Sequence, residues 1–162
     1  MNNKPKNILI VRTDRIGDLI LTLPLAGLIK KQYPDSRVSF LVREYTKNIV
    51  SNHPYVDEVI VLKESDGNVP LFENVNIIKQ KKFDTCIVVY PRFKISLIVF
   101  FSGIKNRIGT GYRWYSFLFN RKVYEHRKNA ERHELEYNVN LLEKLGVKTN
   151  ISDSSVSYAF RV

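Results

Sequence analysis

The chain has 162 residues, 44% of them apolar and 12% aromatic, which is enough for one ordinary domain with its own core and excludes a disordered chain. A single cysteine, Cys86, excludes a disulfide framework and makes a reducing compartment the default. The net charge is +10, and the segment from Gly103 to Lys128 carries seven basic residues against one acid, an excess that points to an anionic partner or to a solvated basic face.

In chain order, MNNKPKNILIV lacks the apolar length and cleavage pattern of a signal peptide. Ile8 to Val11 is apolar without alternation, as expected of a strand buried on both faces. From Gly17 the spacing of Leu19, Leu23, Ala26 and Ile29 predicts a helix that stops at Tyr33-Pro34-Asp35, with Pro24 in its first turns or at a kink. Arg37–Val42 reads as a second strand, Glu44–Ser51 as a short helix, Asn52-His53-Pro54 as a turn and Glu58–Leu62 as a third strand. After the loose SDGNVP at 65–70 comes a polar helix ending near Lys81, and then the strand-like run Asp84–Tyr90.

ISLIVFFSGI at 95–104 fits a buried helix stopped by Gly103 and is well short of the roughly 18–20 residues of a membrane span. Asn106–Gly109 fits a short strand. Glu131–Leu145 carries Leu135, Val139, Leu142 and Leu145 on one stripe and ends at Gly146, as an amphipathic helix should. The tail at 155–162 reads as extended. Strand and helix alternate, which predicts an α/β, Rossmann-like parallel sheet with helices on both faces.

Ligands of open α/β sheets sit outside the carboxyl ends of the strands. The segment RTDRIGD, Arg12 to Asp18, lies at such an end and at a helix N-terminus, where free N–H groups favour anions. Asp14 or Asp18 can cap that helix for about 1 kcal/mol. Capping employs one Asp and leaves Arg12, Arg15 and the other Asp without a task. A carboxylate here can also serve as a general base toward a sugar or other hydroxyl, better so when partly buried.

Other templates fail. One Gly is not a dinucleotide fingerprint, and no GK[ST] completes a P-loop. His133-Glu134 begins like a zinc-protease helix, but Tyr137 stands where its second His belongs. The dispersed His53, His126 and His133 form no metal cluster, and no metal is expected. Cys86, in mid-strand, reads as a reduced core residue. In GYRWYSFLFNRKVY at 111–124, aromatics alternate with Arg113, Arg121 and Lys122, which suits a membrane interface or stacked bases. Phe117 and Phe119 are expected in the core, and Trp114 and Tyr115 fit either place.

Four blocks, ILIVRTDRIGDLILTLP, HPYVDEVIVL, FDTCIVVYPRFKISLIVFFSGIKNRIGTG and HELEYNVNLLEKLGV, together resemble glycosyltransferase family 9, the bacterial ADP-heptose:lipopolysaccharide heptosyltransferases and their relatives. The blocks fall in the family's order and cover most of residues 7–147; the first is the most specific. The resemblance implies the GT-B arrangement, two Rossmann-like domains facing a cleft, with acceptor bound by the N-terminal half and nucleotide-sugar by the C-terminal half. It implies inverting transfer without a metal or cofactor, Asp18 as the base, and Arg12, Arg15, Arg113, Arg121 and Lys122 toward a phosphorylated lipopolysaccharide-core acceptor. Asp14 and Gly17 would then shape the turn and helix start.

On this reading residues 1–150 are an acceptor-binding domain and 151–162 begin a linker. The donor-binding half, with its site for ADP-heptose or a related sugar, would lie in another segment or chain, and the lone domain would transfer little. Asp14-Arg15 stands where many core-heptose enzymes carry small residues, which leaves the donor sugar and acceptor open. The expected place is the cytoplasm, with a peripheral contact on the inner face of the membrane allowed; a nucleic-acid partner is disfavoured. The alternative from another class is a non-enzymatic module that binds an anionic membrane surface or nucleic acid through the basic aromatic segment.

Overall fold

The computed structural model describes residues 4–124 and 134–147. Six strands form one parallel sheet: β1 (Asn7–Val11), β2 (Arg37–Val42), β3 (Glu58–Val61), β4 (Thr85–Val88), β5 (Asn106–Thr110) and β6 (Arg121–Val123). Their order across the sheet is β3-β2-β1-β4-β5-β6, that of the Rossmann fold. The chain runs outward from β1 to β2 and β3, then returns to place β4 on the other side of β1. The carboxyl ends of β1 and β4 therefore flank the point where the winding reverses.

Alternation along β1 assigns its side chains to two cores. Ile8 and Ile10 face α2 (Pro24–Gln32), α3 (Lys47–Ser51) and α6 (Glu134–Asn140), through Leu25, Ile29, Val50, Val139 and the following turn's Leu142. Leu9 and Val11 face α4 (Leu71–Gln80) and α5 (Phe93–Phe101), through Val75, Ile78, Ile95 and Ile98. Both faces of the sheet are covered, which is why β1 reads as a continuous apolar run. The Cys86 thiol is fully buried in the second core, and that burial pushes its pKa up, so it stays protonated and unreactive.

The structure corrects several expected elements. The single helix from Gly17 is two: α1 (Ile16–Ile20) and α2, which opens with Pro24 at its first position. Pro24 has no N–H to continue α1, so the chain breaks at Leu21–Leu23 and restarts. Strand β4 is shorter than Asp84–Tyr90 at both ends; at its start the Asp84 carboxylate accepts the N–H groups of Lys6 (2.9 Å) and Asn7 (2.7 Å). Helix α5 starts earlier than Ile95 and is not fully buried, since Phe100 and Phe101 point outward. Helix α6 gives way to a 3-10 turn, Leu141–Leu145, closed by Gly146 at φ 80°, a left-handed conformation suited to glycine. Its expected start at Glu131, the linker at 151–162 and the extended tail lie outside the described residues.

The break between α1 and α2 is held by a side chain from far along the sequence. In one continuous helix the Leu25 N–H would bond the Leu21 carbonyl; here it bonds Thr22 O at 3.1 Å. Asn138 of α6, fully buried, donates to the freed Leu21 carbonyl at 3.1 Å and lies 3.4 Å from the Thr22 hydroxyl. Asn138→Ala is therefore expected to cost about 1–3 kcal/mol, measured as a lowered urea midpoint at unchanged slope. Asn138→Leu should not restore stability, because the Leu21 carbonyl stays without its donor.

Candidate functional site at the carboxyl ends of the strands

The carboxyl ends of β1, β2 and β4 and the first turn of α6 enclose a cleft of about 440 Å3. Arg12, Asp14, Arg15 and Asp18 come from the segment after β1, Arg43 and Tyr45 from that after β2, and Tyr90 and Arg92 from that after β4. Glu134 closes the fourth side from α6. Four arginines thus share one depression with three acids.

Arg12 organises the floor. Its residue is 2% exposed, and its guanidinium grips Asp14 with two bonds, Nε to Oδ1 at 2.6 Å and Nη2 to Oδ2 at 2.9 Å. The same Nη2 lies 3.5 Å from Asp18 Oδ1, and Nη1 lies 3.3 Å from Glu134 Oε1. The Tyr90 ring sits 5.6 Å from its Cζ, a cation–π distance. The Tyr45 hydroxyl donates to the Asp14 carbonyl, which ties the β2 loop to the β1 turn.

Neither Asp caps α1 through its side chain: the cap position is Arg15, and no side-chain capping bond forms there. Asp14 is committed to Arg12. Asp18 stands in the first turn of α1 with its side chain 34% exposed, at the mouth of the cleft, where the helix N-terminus favours its negative charge. Thr22, fully buried, donates to the Asp18 carbonyl at 2.8 Å and anchors that turn from behind. Gly17 lies within α1, and a Cβ there would meet nothing within 4 Å, so backbone crowding does not require glycine at this position. Among the described residues no three His, Cys, Asp or Glu side chains group so as to hold a metal ion; the three acids of the cleft converge on a guanidinium instead.

No family model matches the chain. It is 27% identical over 146 residues to a Haemophilus influenzae protein that carries a glycosyltransferase name, covering 90% of this chain and 42% of that protein. It is 24% identical to lipopolysaccharide heptosyltransferase 3 of Escherichia coli, covering 88% of this chain and 44% of that one. The crystal structure of a family 9 glycosyl transferase from Veillonella parvula superimposes with a TM-score of 0.77 at 25% identity, over 95% of this chain and 44% of the other. The chain has the fold of the N-terminal half of a family 9 glycosyltransferase. It spans less than half the length of these relatives.

Within this family 9 fold the cleft collects Arg12, Asp14, Arg15 and Asp18 but not the rest of the expected set. Arg121 and Lys122 lie on the edge strand β6, and Arg121 Nη1 donates to the Lys144 carbonyl at 2.9 Å. Arg113, in the loop after β5, also does not line the cleft. Arg12 meets protein carboxylates on three sides, which leaves it as the cleft's buried support rather than a free guanidinium at its surface. Phe119 is buried as expected, but Phe117 is 64% exposed, because the 3-10 turn Ser116–Leu118 aims it away from the sheet. Tyr115 is buried, with its hydroxyl donating to the Pro91 carbonyl at 2.9 Å, and Trp114 is 73% exposed.

Arg43, Tyr45, Tyr90, Arg92 and Glu134 escape a sequence reading centred on RTDRIGD. A signal for most of them was present. Arg43 directly follows β2 and Tyr90 closely follows β4, so applying the carboxyl-end rule to every strand names them. Glu134 has no such signal, since its place depends on how α6 docks.

Proposed function

We propose that this chain is the acceptor-binding, base-carrying half of an inverting glycosyltransferase that acts on a lipopolysaccharide-core or related glycan. The observation that carries this reading is the position of Asp18: a one-third-exposed carboxylate at the mouth of a sugar-sized cleft, on a helix N-terminus, in a chain with the family 9 fold. Asp18 takes the proton of an acceptor hydroxyl as that oxygen attacks the anomeric carbon. The bond from that carbon to the nucleoside diphosphate breaks on the opposite face, and the configuration inverts. Arg12 suits this role because its charge is already shared with Asp14 through two bonds, so at 3.5 Å it orients Asp18 while neutralising it only in part. Arg15 and the other exposed cations of the rim meet the acceptor. The donor, ADP-heptose or another nucleotide-sugar, is bound on this reading by a second domain, and residues 1–162 alone transfer little.

The expected result is that the 162-residue chain binds core-oligosaccharide acceptors and shows no tight binding of ADP-heptose, as read by calorimetry. Tight nucleotide-sugar binding without acceptor binding would overturn the assignment of this half.

A second reading, a peripheral contact with an anionic membrane, is favoured by one feature beside the cleft. Trp114 stacks on Phe93 at 4.7 Å between ring centroids, both are exposed, and Arg92 and Arg113 are their chain neighbours. No helix among the described residues is long and apolar enough to cross a membrane. Trp114 is the sole tryptophan, so its emission reports directly. A blue shift with phosphatidylglycerol vesicles and none with phosphatidylcholine is expected, and Arg113→Ala should weaken binding by about fivefold. Unshifted emission on anionic vesicles would exclude the contact.

A further inference from the structure

The planar guanidinium of Arg12 presents its donors along two edges, and its neighbours divide them. Asp14 occupies one edge, taking Nε at 2.6 Å and Nη2 at 2.9 Å. The other edge, Nη1 and Nη2 together, is a second fork able to grip a carboxylate with two bonds. It is split instead. Glu134 Oε1 takes Nη1 at 3.3 Å, and Asp18 Oδ1 stands 3.5 Å from Nη2, beyond ordinary hydrogen-bond length.

How the fork is shared matters for Asp18. A carboxylate closed onto both Nη groups gives up two charge-assisted hydrogen bonds when it takes a proton, and is a poorer base for it. Asp18 has room to close, since it stands at the mouth of the cleft with its side chain 34% exposed. Arg12 does not move to meet it. Its residue is buried, its backbone N–H bonds Leu41 O at 3.1 Å, and the Tyr90 ring lies 5.6 Å from its Cζ. The occupant of Nη1 therefore decides how far Asp18 closes onto the guanidinium.

Glu134 is kept in register with Asp18 by its own helix. Asn138, one turn further along α6 and on the same face, donates to the Leu21 carbonyl at 3.1 Å and lies 3.4 Å from Thr22 Oγ1. That hydroxyl donates to the Asp18 carbonyl at 2.8 Å. Helix α6 thus meets the Asp18 turn twice, at its backbone through Asn138 and Thr22, and at its charge through Glu134 and Arg12.

We infer that Glu134 is a positioning residue for the base: by occupying Nη1 of Arg12 it keeps Asp18 from closing a two-bond fork with the guanidinium, and so leaves the Asp18 carboxylate open to an acceptor hydroxyl. This role rests on the reading of Asp18 as the base, and adds to it the group that holds the base open. Glu134 needs no contact with substrate to act in this way; it acts through Arg12.

The test joins a crystal structure to kinetics. In the 162-residue chain carrying Glu134→Ala, the Asp18 carboxylate should close onto Nη1 and Nη2 at about 2.8 Å. Glu134→Gln, whose amide oxygen still accepts from Nη1, should leave it open. In an enzyme assembled with a donor-binding half, Glu134→Ala should lower kcat by about 10–100-fold, the worth of the added hydrogen bonds to charged groups, with KM changed by no more than a few-fold. Glu134→Gln should recover all but a few-fold of that loss. On an Asp18→Asn background Glu134→Ala should cost nothing further, whereas a merely structural loss adds. Wild-type kcat in Glu134→Ala, equal losses with Ala and Gln, or an Asp18 that stays 3.5 Å from Arg12 in the Ala variant overturns the role of Glu134. Unchanged turnover in Asp18→Asn removes the base itself and this role with it, so the two failures are distinct results.

Discussion

Asp18→Asn, in an enzyme assembled with a donor-binding half, is expected to lower kcat by about 10²–10⁴-fold, the usual contribution of a positioned general base, while acceptor affinity changes by no more than a few-fold. The substitution keeps the shape and one acceptor oxygen but removes the carboxylate proposed to take the proton. Stability should hardly change, because Asp18 is one-third exposed and its 3.5 Å contact with Arg12 is the loosest of that cluster. A steady-state assay with separate kcat and KM, beside calorimetric acceptor binding, checks this. Unchanged turnover would remove Asp18 from the mechanism. A non-enzymatic module for membrane or nucleic acid makes the opposite prediction: Asp18→Asn does nothing, whereas Arg113→Ala with Arg121→Ala lowers liposome or RNA binding.

The largest expected effect on stability comes from Arg12→Met. The substitution keeps much of the side-chain volume and deletes the guanidinium that pairs with Asp14, whose side chain is 9% exposed, and that reaches Asp18 and Glu134. Breaking a buried ion pair by removing one member costs about 3–5 kcal/mol, because the remaining charge stays desolvated without compensation. Urea denaturation of the variant should show a loss of this size. Adding Asp14→Leu should recover part of it, since replacing both buried partners by apolar groups removes the stranded charge. A loss under 1 kcal/mol in the single variant would show that Asp14 is hydrated rather than held, and would undercut the account of the cleft floor.

Legibility followed the range of the interactions involved. Strands β1, β2 and β3 were legible because apolar, β-branched runs bounded by turns mark buried strands, and α6 because Leu135, Val139 and Leu142 mark one face. The α1–α2 break was half legible: Pro24 announced a disturbance, but whether it kinks or splits a helix depended on Asn138, which supplies the bond that the split leaves open. In the 111–124 segment, Phe117 and Phe119 look equivalent in sequence. Only the 3-10 turn separates them, sending Phe119 beneath the sheet edge against Gly109 and Phe117 to solvent.

By itself the sequence determined the α/β class, the charged turn after the first buried strand, the resemblance to family 9 and the candidacy of Asp18, because each is written in local pattern. Tertiary structure alone decided what the charges around Asp18 do. Placing β2 and β4 on either side of β1 brings Arg43 and Arg92 to the cleft, and docking α6 brings Glu134 to Arg12 across 122 residues. It also leaves Arg121 on a far edge, bonded to a helix-end carbonyl. The physical reason is that a guanidinium's role depends on which carboxylates, rings and carbonyls reach it, and those partners come from strand pairing and helix docking rather than from its neighbours in the chain.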